Sequence, residues 1–326
     1  SDKDDVPAAR VSELFIGDLN NKADLDKFSE KVDVITLENE NIDTKTLEYV
    51  NSKKPLFPGV KSIEVAQDRW NEKSLFKDLN IPVTNFEKVD SIDDLKNLAN
   101  NPSFTASILK TRRFGYDGKG QSSVDWNNFE KSWVDVAQAP CILEQKIKFT
   151  CEVSQVSARD VNGNIKHYPL IENEHEAGIL RTSYCPIKYE DKSNNLTNNL
   201  TNNISKMAQD YISKLLNHFD YVGVLALELF VLEDGTLVAN EIAPRVHNSG
   251  HLTNEAFDIG QFEMHVRAVC GGEIKTPVLK NKAIMHNLIG EISKADYELA
   301  NKANIRLYDY GKEGRPGRKV GHWVEF

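Results

Sequence analysis

The stretch ALELFVLEDGTLVANEIAPRVHNSGH, residues 226–251, decides the reading of the fold. Two apolar runs flank Asp234-Gly235, a dipeptide suited to a tight hairpin turn. A two-residue turn there pairs Glu233 with Thr236, and counting outward sets Glu228 opposite Glu241. Both acids sit in otherwise apolar strands. Opposed carboxylates repel, and unpaired buried charges are costly. A shared divalent cation resolves the conflict: Mg²⁺ prefers hard oxygens, usually one or two carboxylates plus nucleotide phosphates, and neighbouring Asn240 can add a neutral oxygen. The competing reading is that one carboxyl is protonated or points to solvent. Arg245, His247 and Asn248 follow directly, and a cation and polar donors beside a metal–phosphate centre can orient a small anion. His247 and His251 are four apart, but Ser249 and Gly250 argue against a helix and the glutamate of a zinc-protease motif is missing.

Upstream, KTRRFGYDGKGQ at residues 110–121 is glycine-rich. Gly115, Gly118 and Gly120 leave backbone N–H groups able to approach an anion closely. Gly115 to Gly120 has G-x-x-x-x-G spacing, yet Gln121-Ser122 follows where a Walker A loop needs Lys-Ser/Thr. Strand-like flanks suit a mobile hairpin flap over phosphates, with Lys110 ending the strand before it. Taken alone, the segment reads at least as well as a plain exposed hairpin. Downstream, YGKEGRPGRKVGH (310–322) interleaves Lys312, Arg315, Arg318 and Lys319 with glycines and a proline. It is either a solvated face or a clamp on a ligand phosphate. Near the start, TLENENI (36–42) sets Glu38 and Glu40 at a strand end, facing one side. Ligands sit at such ends in open α/β sheets; acids at a helix N-terminus near Asp43 and Thr44 are the alternative.

Around these segments the chain alternates helix and strand patterns. A helix over 23–31 precedes a short buried strand at 32–37, and a second helix pattern covers 62–79. Strands are expected near 83–88, 105–110, 141–147, 151–159 and 165–170, with a helix near 91–100 and a hairpin turn at Asn162-Gly163. Residues 202–219 carry one wide apolar stripe at helical spacing, and strands recur at 222–232, 236–242, 283–288, 304–308 and 320–326. NNLTNNLTNN, residues 194–203, reads as a solvated loop. The opening SDKDDVPAAR is polar and reads as a connection, so a first strand and helix are expected upstream of it.

At 326 residues and 40% hydrophobic, the chain supports two or three packed lobes rather than one small core. A net charge of −9 makes it a poor general binder of nucleic acid or acidic membrane. No run of about 18 apolar residues or charged-then-apolar leader is present. Cys141, Cys151, Cys185 and Cys270 form no C-x-x-C pair, which fits a reducing cytoplasm.

In this order, KTRRFGYDGKGQ, EVS, YVGVLALELF and NEIAPRVHNSGH resemble the 5-(carboxyamino)imidazole ribonucleotide synthases. FEMHVRAVCG and GRPGRKVGH continue the likeness over essentially the whole chain; NEIAPRVHNSGH is specific to that family, whereas a glycine-rich flap is not. The resemblance implies an α/β fold of the ATP-grasp kind, with α+β lobes: a pre-ATP-grasp domain at 1–72, a clasp at 73–272 (small lobe about 81–147, large lobe about 148–272), and a small β-rich piece at 273–326. It implies a cytoplasmic homodimeric ligase in which ATP phosphorylates bicarbonate to carboxyphosphate. The exocyclic amine of 5-aminoimidazole ribonucleotide then attacks that or released carbon dioxide.

By the same resemblance Arg69 and Lys110 contact nucleotide phosphates, and Gly115, Tyr116, Asp117, Gly118, Lys119, Gly120 and Gln121 form the flap. Glu144, Gln145, Lys146 and Ile147 line the adenine pocket, Glu152 holds the ribose, and His175, Asn240 and Glu241 complete the ATP site. Glu228 and Glu241 hold Mg²⁺, and Arg245, with His247 and Asn248, places bicarbonate or carboxyphosphate. Glu40, Tyr116, Asp117, Lys312 and Arg318 bind the aminoimidazole ribonucleotide. Carboxyphosphate is short-lived in water, so a flap that excludes water has a purpose. Family members begin with a strand and a GGGQLG-like glycine turn, which this sequence does not contain. The rivals are another ATP-grasp ligase, such as a formate-using glycinamide ribonucleotide transformylase or a biotin carboxylase, and a non-catalytic nucleotide-binding module. The first lacks RVHNSGH followed by GRPGRKVGH; Lys110, Glu228, Glu241 and Arg245 argue against the second.

Overall fold

A computed structural model describes residues 11–115, 118–188 and 197–326, with 197–201 described by backbone alone. The first unit runs α1 (Lys22–Glu30), β1 (Ile35–Thr36), α2 (Thr44–Asn51), β2 (Leu56–Phe57) and α3 (Val60–Ala66). β1 and β2 pair in parallel, Ile35 beside Leu56, over a core of Leu25, Leu37, Leu47, Val50 and Ile63. The strand expected at 32–37 is thus only two residues long. Glu38 and Glu40 lie beyond it in a loop, and only Glu40 turns inward while Glu38 stays exposed. The single helix expected over 62–79 is two, α3 and α4 (Arg69–Asp78), broken at Gln67-Asp68. The break has one local cause and one distant one. Asp68 caps α4 by accepting the Trp70 N–H at 3.0 Å, and Gln67 donates to the carbonyls of Glu40 and Ile42.

The next unit is a four-stranded antiparallel sheet: β3 (Phe86–Val89), α5 (Ile92–Asn97), β4 (Ser107–Thr111), β5 (Gln121–Ser123), α6 (Phe129–Asp135) and β6 (Cys141–Gln145). Strand order is β3-β6-β4-β5, with Leu95, Phe104 and Trp133 packed beneath Leu109 and Leu143.

The remaining strands build one larger sheet. They are β7 (Cys151–Arg159), β8 (Ile165–His167), β9 (Ile171–Glu176), β10 (Ile179–Cys185), β11 (Gly223–Val231), β12 (Leu237–Ala243), β13 (Ala283–Ile289), β14 (Ile305–Asp309) and β15 (Lys319–Glu325). Their order is β12-β11-β7-β9-β10-β13-β15-β14, with β8 beside β7. α7 (Thr197–His218) covers one face; Ile204, Ala208, Ile212 and Leu215 pack on Leu225, Leu227 and Leu229. α8 (Thr253–Ala256) and α9 (Gln261–Val269) cover part of the other, where Met264 and Ala268 meet Val224 and Ala226. α10 (Lys294–Leu299) lies before β14. The segment expected as a loop at 194–203 is helical from Thr197, and 194–196 lie outside the described residues. The helix is carried by the buried apolar stripe of Ile204, Ala208, Ile212 and Leu215, which outweighs the weak helix preference of the Asn and Thr residues at its start. No helix among the described residues is long and apolar enough to cross a membrane.

Register in the β11–β12 hairpin explains how two acids come to share a face. Glu228 stands opposite Glu241, as expected, but not by the expected route. The hairpin closes at Leu232, whose N–H donates to the Thr236 carbonyl at 2.9 Å, so the loop has three residues, one more than a two-residue turn. Near the turn Val231 pairs Leu237 and Leu229 pairs Ala239; the register then slips by one, leaving Asn240 as a bulge. The two one-residue offsets cancel. The bulge also reverses the face of each later β12 residue. Before it, Leu237 and Ala239 face α7; after it, Ile242 does, and Glu241 turns to the side of Glu228.

Candidate active site

Two adjoining cavities share a wall made by Arg69, His175, Gly178, Glu228 and Glu241. The larger, about 480 Å³, lies between the two sheets. Lys110, Gly118, Lys119, Gln121, Glu144, Gln145, Lys146, Ile147, Glu152 and Asn240 line it, together with Phe149 and Phe230, stacked at 4.6 Å. The smaller, about 210 Å³, is lined by Glu40, Gly115, Arg245, His247, Asn248 and Lys319. Lys319 also borders a third cleft of about 210 Å³, whose walls carry Lys119, Lys312, Arg315 and Arg318. Gly120 lines none of the three, while Tyr116 and Asp117 lie outside the described residues. Lys312 sits over the Tyr310 ring at 5.1 Å, and Arg318 donates to the Glu313 carbonyl at 3.0 Å.

The flap approaches the tip of the β9–β10 hairpin. Gly118 has φ +76°, and a Cβ there would stand 2.9 Å from the Ala177 carbonyl oxygen, so this meeting needs glycine. The hairpin itself was missed in the sequence, and with it the strand that carries His175. Ala177 and Gly178, both at positive φ, make its turn, but the flanking runs IENEHE and ILRTSYC do not alternate apolar and polar, so no period-two signal marks the strands. His175 Nδ1 lies 2.9 Å from Glu152 Oε2. Burial alone would lower the His175 pKa, but the bond and charge of Glu152 outweigh it and raise it.

Each acid on the shared wall already faces a cation or a donor. Arg69 donates to Glu241 at 2.9 Å, and His247 Nε2 lies 3.1 Å from Glu228 Oε1. Burial would push the Glu228 carboxyl up; the His247 hydrogen bond and the charges of His247, His175 and Lys319 bring it down to about 2 instead. His247 is itself held in place. Its Nδ1 bonds the Ser249 hydroxyl at 2.8 Å, and buried Gln261 clamps its backbone, accepting its N–H at 3.0 Å and donating to its carbonyl at 2.7 Å. His251 turns away to Gln261 Nε2, so the two histidines do not converge. Arg245 grips both oxygens of Glu40, with Nη2 to Oε1 at 3.0 Å, and Asn248 exchanges amide hydrogen bonds with Asn287.

One face of α4 serves the whole site, and two of its three polar residues were missed in the sequence. Arg69 reaches Glu241, Glu72 accepts the Ile242 N–H at 2.7 Å, and Lys73 reaches Glu144 at 2.8 Å. Burial, with Glu241 close by, lifts the Glu72 carboxyl to about 8. Lys110 ion-pairs with the second oxygen of Glu144, also at 2.8 Å.

Comparison with known proteins fits this arrangement. Family models described as the ribonucleotide synthetase preATP-grasp domain, the ATP-grasp domain and the phosphoribosylaminoimidazole carboxylase C-terminal domain match residues 1–67, 74–262 and 283–324. N5-carboxyaminoimidazole ribonucleotide synthase of Pseudomonas aeruginosa is 39% identical over 98% of this chain and 84% of its own length. The chain belongs to the N5-carboxyaminoimidazole ribonucleotide synthase family of ATP-grasp proteins. The crystal structure of the Thermus thermophilus synthetase superposes with TM-score 0.87 at 36% identity, covering 98% of this chain and 83% of that one. An Aspergillus clavatus synthase in complex with ADP and 5-aminoimidazole ribonucleotide superposes with TM-score 0.85 at 25% identity, covering 99% of this chain and 85% of that one.

Proposed function

We infer that the chain is an ATP-dependent ligase of purine biosynthesis. It carboxylates the amine of 5-aminoimidazole ribonucleotide with bicarbonate by way of carboxyphosphate, releasing ADP and phosphate. One observation carries the assignment of chemistry to residues: a large cavity and a small one meet at a wall holding Glu228, Glu241, Arg69 and His175. A triphosphate in the larger cavity would bring its γ-phosphate to that wall, and an anion in the smaller would face it from the other side.

Lys110 and Arg69 would neutralise the phosphates, and the glycine flap with Phe149 and Phe230 would exclude water. Magnesium suits the shared wall. Glu228 and Glu241 are paired across β11–β12, and Asn240 Oδ1 is buried with no hydrogen-bond partner. No group of three or more His, Cys, Asp or Glu converges on a metal among the described residues, so phosphate oxygens would complete the shell. When bound, the ion would offset negative charge on the transferring phosphoryl group.

In the smaller cavity Arg245 would place bicarbonate and then the carboxyl end of carboxyphosphate, with its guanidinium fixed by Glu40. The substrate amine forms a C–N bond to that carboxyl carbon, the C–O bond to phosphate breaks, and the amine proton needs an acceptor. The departing phosphate can take it; His247 lines this cavity with both ring nitrogens engaged, Nε2 by Glu228 and Nδ1 by Ser249, and would help Arg245 place the carboxyl group. Lys312, Arg318 and Lys319 would hold the ribonucleotide phosphate in the third cleft, which adjoins the smaller cavity at Lys319. The reading further includes a cytoplasmic homodimer and domain limits of 1–72, 73–272 and 273–326. β13 to β15 extend the large-lobe sheet, so the last of these would share its core with the clasp.

An ADP-release assay tests the reaction. Turnover is expected only with bicarbonate and 5-aminoimidazole ribonucleotide together. Turnover sustained by formate or biotin, or none with the expected pair, would overturn it.

A further inference from the structure

We propose that Lys73, which lines none of the three cavities, is a positioning residue that keeps one net positive charge beside the ATP phosphates by sharing Glu144 with Lys110. The proposal rests on the reading that the larger cavity takes ATP.

Lys73 is fully buried on α4, at 0% exposure. An ammonium removed from water is costly unless it is paired. Its Nζ lies 2.8 Å from Glu144 Oε1 and 3.4 Å from the Ala239 carbonyl, and the Thr84 hydroxyl donates to the same Oε1 at 2.7 Å. The other oxygen of Glu144 lies 2.8 Å from Lys110 Nζ. One carboxylate therefore faces two ammonium groups. Lys110 and Glu144 line the cavity; Lys73 stands behind them.

The charge balance gives Lys73 its role. Two cations against one anion leave a net positive charge at the cavity wall. Without Lys73, Glu144 and Lys110 form a neutral pair, and Lys110 no longer presents excess charge to a triphosphate. A carboxylate already bound by Lys73 and Thr84 also grips Lys110 less tightly, which leaves that ammonium freer to turn to phosphate. The position of Lys73 fits this part. Glu144 belongs to β6 of the four-stranded sheet and Ala239 to β12 of the larger one, so a single ammonium ties both walls of the cavity to α4.

A purely structural pin would make the same contacts, so the test turns on charge. ATP binding by calorimetry, KM for ATP, kcat and Tm are compared for the full chain, Lys73→Met, Lys73→Arg and Lys73→Met/Glu144→Gln. Lys73→Met should weaken ATP binding by about tenfold or more, with KM rising in parallel and kcat changing less. Lys73→Arg keeps the charge and should stay within about threefold. The double variant removes one cation and one anion, restoring the net charge, and should recover most of the affinity lost by Lys73→Met. A folded double variant that binds no better than Lys73→Met would overturn the proposal, as would wild-type affinity in Lys73→Met. Should Lys73→Met fail to fold, the double variant is compared with Glu144→Gln, which carries the same change in the cavity lining: tighter ATP binding by Glu144→Gln, whose wall has one more positive charge, supports the proposal, and equal affinity refutes it. Failure of the unmodified chain to bind ATP would instead sink the functional reading on which this rests.

Discussion

Glu228→Gln removes one charge from the wall between the two cavities and keeps its shape. The native carboxyl, ordinarily near 4.5, is drawn down to about 2 against the opposing effect of burial, because His247, His175 and Lys319 favour its anion. That difference corresponds to ~3 kcal/mol favouring the ionised native state. The sign follows from the direction. A folded-state value below the unfolded one means the stabilisation is complete above about pH 4.5 and is lost as pH falls towards 2. The glutamine variant should therefore be less stable by ~2–3 kcal/mol at pH 7, and should lack that share of the acid loss between pH 4.5 and 2. Thermal melts across that range measure it. Function should respond in the opposite sense to stability in one respect. Without metal, ATP should bind the variant as well as or better than the wild type, because an anion facing the triphosphate is gone. With Mg²⁺, ADP release should fall by about 100-fold or more if Glu228 is one of the two carboxylates that hold the ion, as proposed. Unchanged Mg²⁺ dependence, or weaker ATP binding in chelator, would refute the reasoning.

Glu72 titrates in the other direction. Its folded-state value of about 8 lies above the ordinary 4.5, so the native chain loses stability as pH rises between them. Glu72→Gln can still accept the Ile242 N–H and should flatten Tm against pH from 5 to 8; curves that run parallel to wild type would mean a charged native Glu72. Ile212→Ala, at a fully buried site under β11, should cost ~2–5 kcal/mol in denaturant unfolding without altering KM, and a cost below ~1 would show the α7 packing is misjudged. Gly118→Val places a side chain where the flap meets Ala177 and strains a φ of +76°; KM for ATP should rise about tenfold with little change in Tm, and an unaltered KM would remove the flap from the site.

The sequence carried most strands because apolar runs bounded by turn residues are local features. It could not carry the bulge at Asn240. The pairing of Glu228 with Glu241 came out right only because a longer turn and a one-residue slip cancel, and nothing in EDGTLVANE distinguishes that route from a plain two-residue turn. The break at Gln67-Asp68 failed for a related reason: the carbonyls that Gln67 serves belong to Glu40 and Ile42, in a loop more than twenty positions away. Spacing left the roles of Lys312 and Arg318 open, and only the family likeness proposes them.

What remained hidden is the face of α4, and its concealment has a physical logic. Glu72 and Lys73 fall on the same buried stripe as Leu75 and Phe76. A reader of DRWNEKSLFKD, applying the rule that charges face water, turns them outward. Burial is tolerable only because Glu144 and the Ile242 N–H arrive from strands 71 and 170 positions further along the chain. Such partners are invisible to any local window. The usable signal is the conflict itself: a charged residue in core phase on a helix that also opens with an arginine. Structures keep such conflicts where chemistry needs them, and α4 adjoins the wall between the two cavities, where a nucleotide and an anion would meet.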